Sequence, residues 1–333
     1  MNKLATLLLF TIILGVPITD SYAQPKAEWG GYLQARFFDD YKSSPGFAIR
    51  RAKLWINGPA PLVDSLYYRV QGIFRYQTSG TLMLQDVYAE YRLPFGFFRG
   101  GQFVPDFSLE RVEGDAYLPL AERAAVVNTL IPSGDTYARD IGAEFVVEPK
   151  KSGFHASVGI YNGNGGNTKS NEDRRFLYTN RTTYNIRFTD DLSWTSGFSL
   201  AYRNKNGLTF PGIFGNDSTF SGRDLRWGAE THLKADRWEI QSEYIQADLE
   251  GRGKSYGYYA FADYDITPKN QVVLSTEKLK TLAASYLGEP WYIVGYSHFF
   301  NGQKVKVMAD AGAQFLSDRT NYSAVIQFQL FFH

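Results

Sequence analysis

The strongest constraint in this sequence is an alternation of apolar and polar residues sustained over ten residues and more. Across Ser65–Gln77, Leu66, Tyr68, Val70, Phe74 and Tyr76 share one face, and Tyr67, Arg69, Gln71, Arg75 and Gln77 share the other. Successive side chains of a strand point to opposite faces, so such a segment has one apolar and one polar wall. The pattern returns at 178–188, where Tyr184, Ile186 and Phe188 oppose Arg181, Asn185 and Arg187. It returns again at 223–235, where Leu225, Trp227, Ala229 and Leu233 oppose Arg226, Glu230, His232 and Lys234. The last stretch sets Tyr322, Ala324, Ile326, Phe328, Leu330 and Phe332 against Gln327 and Gln329. A tilted strand crosses a bilayer in roughly 9–11 residues, whereas a helix needs about 20 apolar ones, and no apolar run beyond residue 24 approaches that length. Inside lipid only helices and closed barrels satisfy their own backbone. The chain is therefore predicted to be all-β, a transmembrane antiparallel β-barrel.

Aromatic residues make up 16% of the chain, with 23 Tyr, 25 Phe and 6 Trp, more than a soluble core of this size needs. Aromatic girdles at two lipid–water interfaces account for them. A soluble sandwich would have strands of roughly 5–6 residues. The absence of Cys excludes disulfides, cysteine zinc sites and thiol catalysis. Thirty-five Lys and Arg against 34 Asp and Glu give no pointer to a nucleic-acid partner. Lys3, the apolar run Leu4 to Val16 and the small residues of Ser21-Tyr22-Ala23 read as a secretory signal cleaved after Ala23. Residues 1–23 are then a signal peptide and 24–333 one barrel domain in the bacterial outer membrane.

Sixteen strands are expected, at 29–38, 47–57, 65–77, 81–93, 96–104, 139–148, 153–162, 177–189, 192–204, 223–235, 237–249, 255–266, 270–279, 289–300, 303–312 and 321–332. The even-numbered connections are mostly short and the odd ones include the long stretches 105–138, 163–176 and 205–222. Barrels of this type keep short turns at the periplasm and long loops outside, which puts both termini in the periplasm. The third external loop, 105–138, is too long for a simple connection. Its Leu118, Leu120, Ala124, Val126, Val127, Leu130 and Ile131 predict packing against the inside wall, leaving Glu110, Arg111, Glu113, Glu122 and Arg123 to shape a constriction.

Charge on a pore wall sets selectivity. Alternation places Gln34 and Arg36, Arg51 and Lys53, Arg69 and Arg75, then Asp86, Glu90 and Arg92 on the lumen face of the first four strands. Arg50 is expected near the outer rim, because a regular strand turns only one of two adjacent residues inward; a bulge would reverse this. Arg36, Arg51, Lys53, Arg69, Arg75 and Arg123 are the candidate anion-binding, pore-lining residues, and guanidinium suits phosphate because its fork makes paired hydrogen bonds. Asp86 and Glu90 are candidates for pairing with neighbouring arginines. The expected function is a water-filled channel for small solutes that prefers anions. A general diffusion pore and an outer-membrane enzyme or adhesin are the alternatives. Neither a cofactor nor a metal is called for: His155, His232, His298 and His333 lack ligand spacing, Gly253-Lys254-Ser255 has no strand–helix context, and no G-x-S-x-G occurs.

Several blocks, in order, resemble the phosphate-selective porins O and P. They are Arg50-Arg51-Ala52-Lys53-Leu54, Asp86-Val87-Tyr88-Ala89-Glu90-Tyr91, Gly101-Gln102-Phe103 followed by Phe107-Ser108-Leu109-Glu110, the pair Glu122-Arg123, Arg139-Asp140-Ile141-Gly142, and Tyr161-Asn162-Gly163-Asn164-Gly165. The resemblance implies a sixteen-stranded trimeric anion channel whose third loop folds into the pore. It implies outer-membrane lipid, small anions such as phosphate, and further copies of the chain as partners. The barrel-assembly machinery would act on the aromatic last strand, which ends in Phe332 and His333. Two positions depart from the family: Val104 stands where a Lys often follows GQF, and Asp106 where a Pro often precedes the Phe, which leaves one cation fewer and one anion more near the constriction.

Overall fold

The structure is a computed structural model that describes residues 27–332 except 43–44, 62, 76–80, 134–137, 169–170, 216–218 and 284–287. The signal peptide expected over 1–23, the Arg75 side chain and His333 lie outside the described residues.

Sixteen strands form in the order expected. They are β1 (Glu28–Asp39), β2 (Gly46–Pro59), β3 (Leu66–Arg75), β4 (Thr81–Leu93), β5 (Gly96–Phe103), β6 (Asp140–Val147), β7 (Phe154–Tyr161), β8 (Leu177–Arg187), β9 (Leu192–Thr209), β10 (Thr219–Ala235), β11 (Trp238–Leu249), β12 (Gly253–Thr267), β13 (Asn270–Lys280), β14 (Trp291–Asn301), β15 (Val305–Phe315) and β16 (Thr320–Phe332). Short helices interrupt two loops: α1 (Leu109–Val112) and α2 (Ala125–Leu130) between β5 and β6, and α3 (Pro211–Phe214) between β9 and β10. Each strand pairs antiparallel with its sequence neighbours, and β1 closes the ring on β16 from Gly31↔Phe332 to Asp39↔Ala324. Closure leaves no unpaired edge, which is what lets a sheet stand in lipid.

The outer wall carries the apolar face. At the short-turn end Trp29, Tyr91, Phe98, Phe188, Trp238 and Phe300 are exposed; at the long-loop end Tyr41, Phe47, Tyr178, Tyr292, Phe315 and Tyr322 are. These are two girdles at opposite ends of the strands.

Two bulges alter the lumen wall. Gln34 pairs with Arg51 but Ala35 with Ile49, so Arg50 is the extra residue of β2. Gln71 pairs with Asp86 but Gly72 with Leu84, so Gln85 is the extra residue of β4. A bulge shifts the phase of alternation. Phe47 and Ile49 face outward before the first bulge, and Leu54 and Ile56 after it. Adjacent pairs, Arg50 with Arg51 and Gln85 with Asp86, consequently both reach the lumen. This corrects the placing of Arg50 at the rim.

The interior is filled asymmetrically. Val126, Val127, Leu130 and Ile131 around α2 and Ile213 of α3 form one buried apolar cluster with wall residues of β9 to β13, including Ala201, Phe220, Ile245, Ala247, Leu249, Tyr259 and Val273. That half of the lumen is a packed core, and open space remains on the other side.

Close strand approach fixes one glycine. Gly101 in β5 has φ 135°, and a Cβ there would lie 2.2 Å from the Val87 carbonyl oxygen. We expect Gly101→Val to abolish most assembled barrel, read as loss of the heat-modifiable band on gels, while Gly46→Ala, whose Cβ meets only the Phe38 ring at 3.7 Å, assembles normally. Equal yields from the two variants would contradict this account.

Candidate functional site

The loop between β5 and β6 enters the barrel because its polar backbone finds partners on the lumen wall. On the β10–β15 side, Arg226 donates from Nη1 to the carbonyls of Leu130 and Ile131 at 2.9 and 2.7 Å, closing the end of α2. The Ala125 N–H donates to Glu277 at 2.9 Å and the Ala121 N–H to Asp310 at 2.8 Å. Lys306 donates to the Leu118 carbonyl at 3.2 Å, and Gln329 of β16 to that of Ala116 at 3.1 Å. Asp140, at the loop exit, gathers N–H groups from Ile141, Gly163 and Gly165 and the Ser133 hydroxyl, which ties this loop to the next one.

On the β1–β2 wall the loop presents two carboxylates to four cations, and its own Arg123 is a fifth. Glu122 pairs with Arg36, with Arg50 at 2.9 Å, and with Arg51 at 3.6 Å. Asp115 pairs with Lys53, with Arg51 at 3.4 Å, and with Arg123 at 2.9 Å. Arg51 also donates to Gln34 at 2.8 Å. Against the burial that raises it, Arg50, Arg51 and Arg36 hold the Glu122 carboxyl down at about 2. Lys53, Arg51 and Arg123 likewise outweigh burial and keep Asp115 well below the usual carboxylate range. Among the described residues the cluster thus has a surplus of three positive charges, within about a Debye length of one another.

The structure therefore brings together Arg36, Arg51, Lys53, Glu122 and Arg123 of the residues expected from sequence. It adds Arg50, Asp115 and Gln34. Arg123 is held by its own loop, since its guanidinium also donates to the carbonyls of Glu110 and Glu113. Glu110 is buried and accepts the Ala124 N–H at 3.1 Å; burial pushes its carboxyl up to about 8. Burial, then the neighbouring Glu239, raises that of Glu113. Arg111 lines a cavity below the cluster, and burial lowers its guanidinium to about 9. Arg69 lines the same cavity, apart from the cluster, and donates to Asn57 and Gln71. Asp86 and Glu90 pair with arginines as expected, Arg139 for the first and Arg92 and Arg99 for the second. Asp106, the anion gained near the constriction, is bound by Arg181 at 3.1 Å and His155 at 2.7 Å, so its charge is compensated locally.

The loop and cluster divide the free lumen into two chambers, and Arg123 lines both. The outer one, about 450 Å³, has six acidic side chains on its wall, Asp39, Asp40, Glu110, Glu122, Glu277 and Asp310, against Arg36, Lys42 and Arg123. The inner one, about 560 Å³, is lined by seven lysines and arginines against five carboxylates.

With this geometry in place, the comparisons with known proteins are specific. The sequence model of the phosphate-selective porin O and P family matches residues 28–284. In-vitro folded OmpT, an outer membrane protein of Vibrio cholerae solved in a trimer form, superposes with a TM-score of 0.64 at 15% identity, over 93% of this chain and 100% of that one. The anion-selective porin from Comamonas acidovorans gives 0.66 at 11% identity, over 93% and 100%. Salmonella typhi OmpF in complex with daunomycin gives 0.65 at 13%, over 94% and 100%. At these identities the likeness to solved structures concerns the fold. No curated protein matches the sequence.

Proposed function

Because this chain belongs to the phosphate-selective porin O and P family and is a channel of the bacterial outer membrane, we propose that it passes small anions in preference to cations, phosphate among them. The observation that carries the proposal is the cluster between β1, β2 and the long loop, where Arg36, Arg50, Arg51, Lys53 and Arg123 exceed Glu122 and Asp115 by three charges. A low-dielectric wall focuses such a field into the passage beside it. Bidentate guanidinium groups favour an oxyanion over chloride at the same site.

The rest of the proposal has narrower support. A signal peptide over 1–23 is supported by the Lys3, Leu4–Val16 and Ser21-Tyr22-Ala23 pattern alone. Assembly by the barrel-assembly machinery is supported by the outward aromatic of the closing strand, Phe332, which packs over Gly31 where a Cβ would meet its ring at 2.3 Å. A homotrimer is supported by the trimeric Vibrio cholerae OmpT. Family membership supports a channel without a catalytic step. A second reading, a general diffusion pore, is favoured by the acidic wall of the outer chamber.

Reversal potential across a KCl gradient separates the two. The proposal expects the potential to lie on the chloride side, approaching the limit of about 59 mV per tenfold gradient for a perfectly selective pore. It also expects millimolar phosphate to reduce the chloride current. A potential near zero with no effect of phosphate would leave the general diffusion pore as the better reading.

A further inference from the structure

The inner chamber has an apolar corner that a pathway for small inorganic anions does not need. Tyr32, Trp55 and Phe331 reach the lumen from β1, β2 and β16, and Tyr117 meets them from the long loop. Their rings form a continuous group: Tyr32 to Phe331 at 5.1 Å, Tyr32 to Trp55 at 6.2 Å, and Phe331 to Trp55 and to Tyr117 at 6.3 Å each. Lys53 lies over the Tyr32 ring at 5.6 Å and Arg69 over the Trp55 ring at 5.2 Å. Tyr117 is 53% exposed although it stands inside the barrel, so its surface faces the chamber.

One cation is left for a ligand. Arg69 has no carboxylate partner among the described residues, and its two bonds to Asn57 and Gln71 leave other guanidinium N–H groups to donate. The Arg69 cation and the ring faces thus line one corner of a chamber of about 560 Å³, ample for a molecule of benzoate size.

We infer that this corner is a binding site for aromatic carboxylates, which lay their ring against Trp55, Phe331 and Tyr117 and their carboxylate against Arg69. The inference rests on the anion-preferring reading above and deepens it by naming a solute class. Ring contacts discriminate where charge does not. Acetate and benzoate carry the same carboxylate, and only benzoate offers a π-face to the cluster.

The experiment uses the purified full-length protein in planar bilayers, with chloride current measured as sodium benzoate or sodium acetate is added to both sides. Benzoate is expected to halve the current at a concentration about tenfold below acetate, the order that one or two aromatic contacts supply. Trp55→Ala and Tyr117→Ala should each bring benzoate close to acetate while leaving the KCl reversal potential unchanged. Tyr117 is a loop residue on the surface of the chamber, so its variant keeps the test sound should the Trp55 variant assemble poorly. Equal block by the two acids in an anion-preferring wild type overturns the site and leaves the anion channel intact. Undiminished preference for benzoate in Tyr117→Ala also overturns it. A cation-preferring wild type fails the underlying reading instead.

Discussion

Arg50→Glu combined with Arg51→Glu should carry the reversal potential across zero, from the chloride side to the potassium side. In the native cluster five cations face Asp115 and Glu122. The double variant leaves Arg36, Lys53 and Arg123 against four carboxylates, so the local balance goes from three positive to one negative. These groups are joined in one chain of ion pairs, and Arg51 and Lys53 are each only 5% exposed, so salt screens them little. The field along the cluster therefore inverts. Arg92→Glu is the control, because the Arg92 side chain is 54% exposed and sits at the short-turn end of β4, outside the cluster. It should leave the potential within a few millivolts of the wild type. A reversal potential that does not move in the double variant would place the selective point elsewhere, with the outer chamber's six acidic side chains the first alternative.

The second large effect belongs to Arg226. It is 2% exposed, binds Asp224 at 2.9 Å and caps α2 through two carbonyls. Arg226→Ala leaves Asp224 with Arg203 alone and leaves both carbonyls without this donor. The two lost hydrogen bonds from a charged donor are worth about 1.5–3 kcal/mol each, and that cost falls on the attachment of the loop, since the Asp224 pair lies within β10 and the sheet ladder is untouched. We expect hydrogen exchange over 125–131 to accelerate strongly and single-channel conductance to rise with added noise, while the heat-modifiable barrel persists. Unchanged exchange in this segment would mean that apolar packing of Val126, Val127 and Leu130 holds the loop by itself.

How much of this was legible in the sequence follows from periodicity. Strands are periodic, so their number, order and facing were readable, including the lumen positions Arg36, Arg51 and Lys53. The bulge at Arg50 left a trace too: apolar residues occupy 47 and 49, then 52, 54 and 56, and that change of phase requires one extra residue between them. Asp115 left none, because loop backbone has no period and an acid between Gly114 and Ala116 is unremarkable there. The inner face of β11 misleads. Ile245, Ala247 and Leu249 would be assigned to lipid by their apolar character, yet they share the parity of Gln241 and Glu243, and each is at most 1% exposed and faces inward against the cluster of α2 and α3. The rule that a barrel lumen is polar holds only where the lumen is wet. The aromatic corner was hidden for a related reason: Phe and Tyr were accounted for by the girdles, and nothing local distinguishes Phe331 from the outward Phe332 beyond its parity.

The long loop meets β2 at one end, through Arg50 and Lys53, and β10 at the other, through Arg226. In a ring of sixteen strands these are eight places apart, on opposite sides of the cylinder. A thin-walled tube under lateral pressure yields first by ovalising, one diameter shortening as the other lengthens. A segment fastened at β2, β10 and the strands β13, β15 and β16 between them acts as an inner brace against that deformation. Asp115 and Glu122, the loop carboxylates that meet the cationic wall, are thereby also structural members of the cylinder.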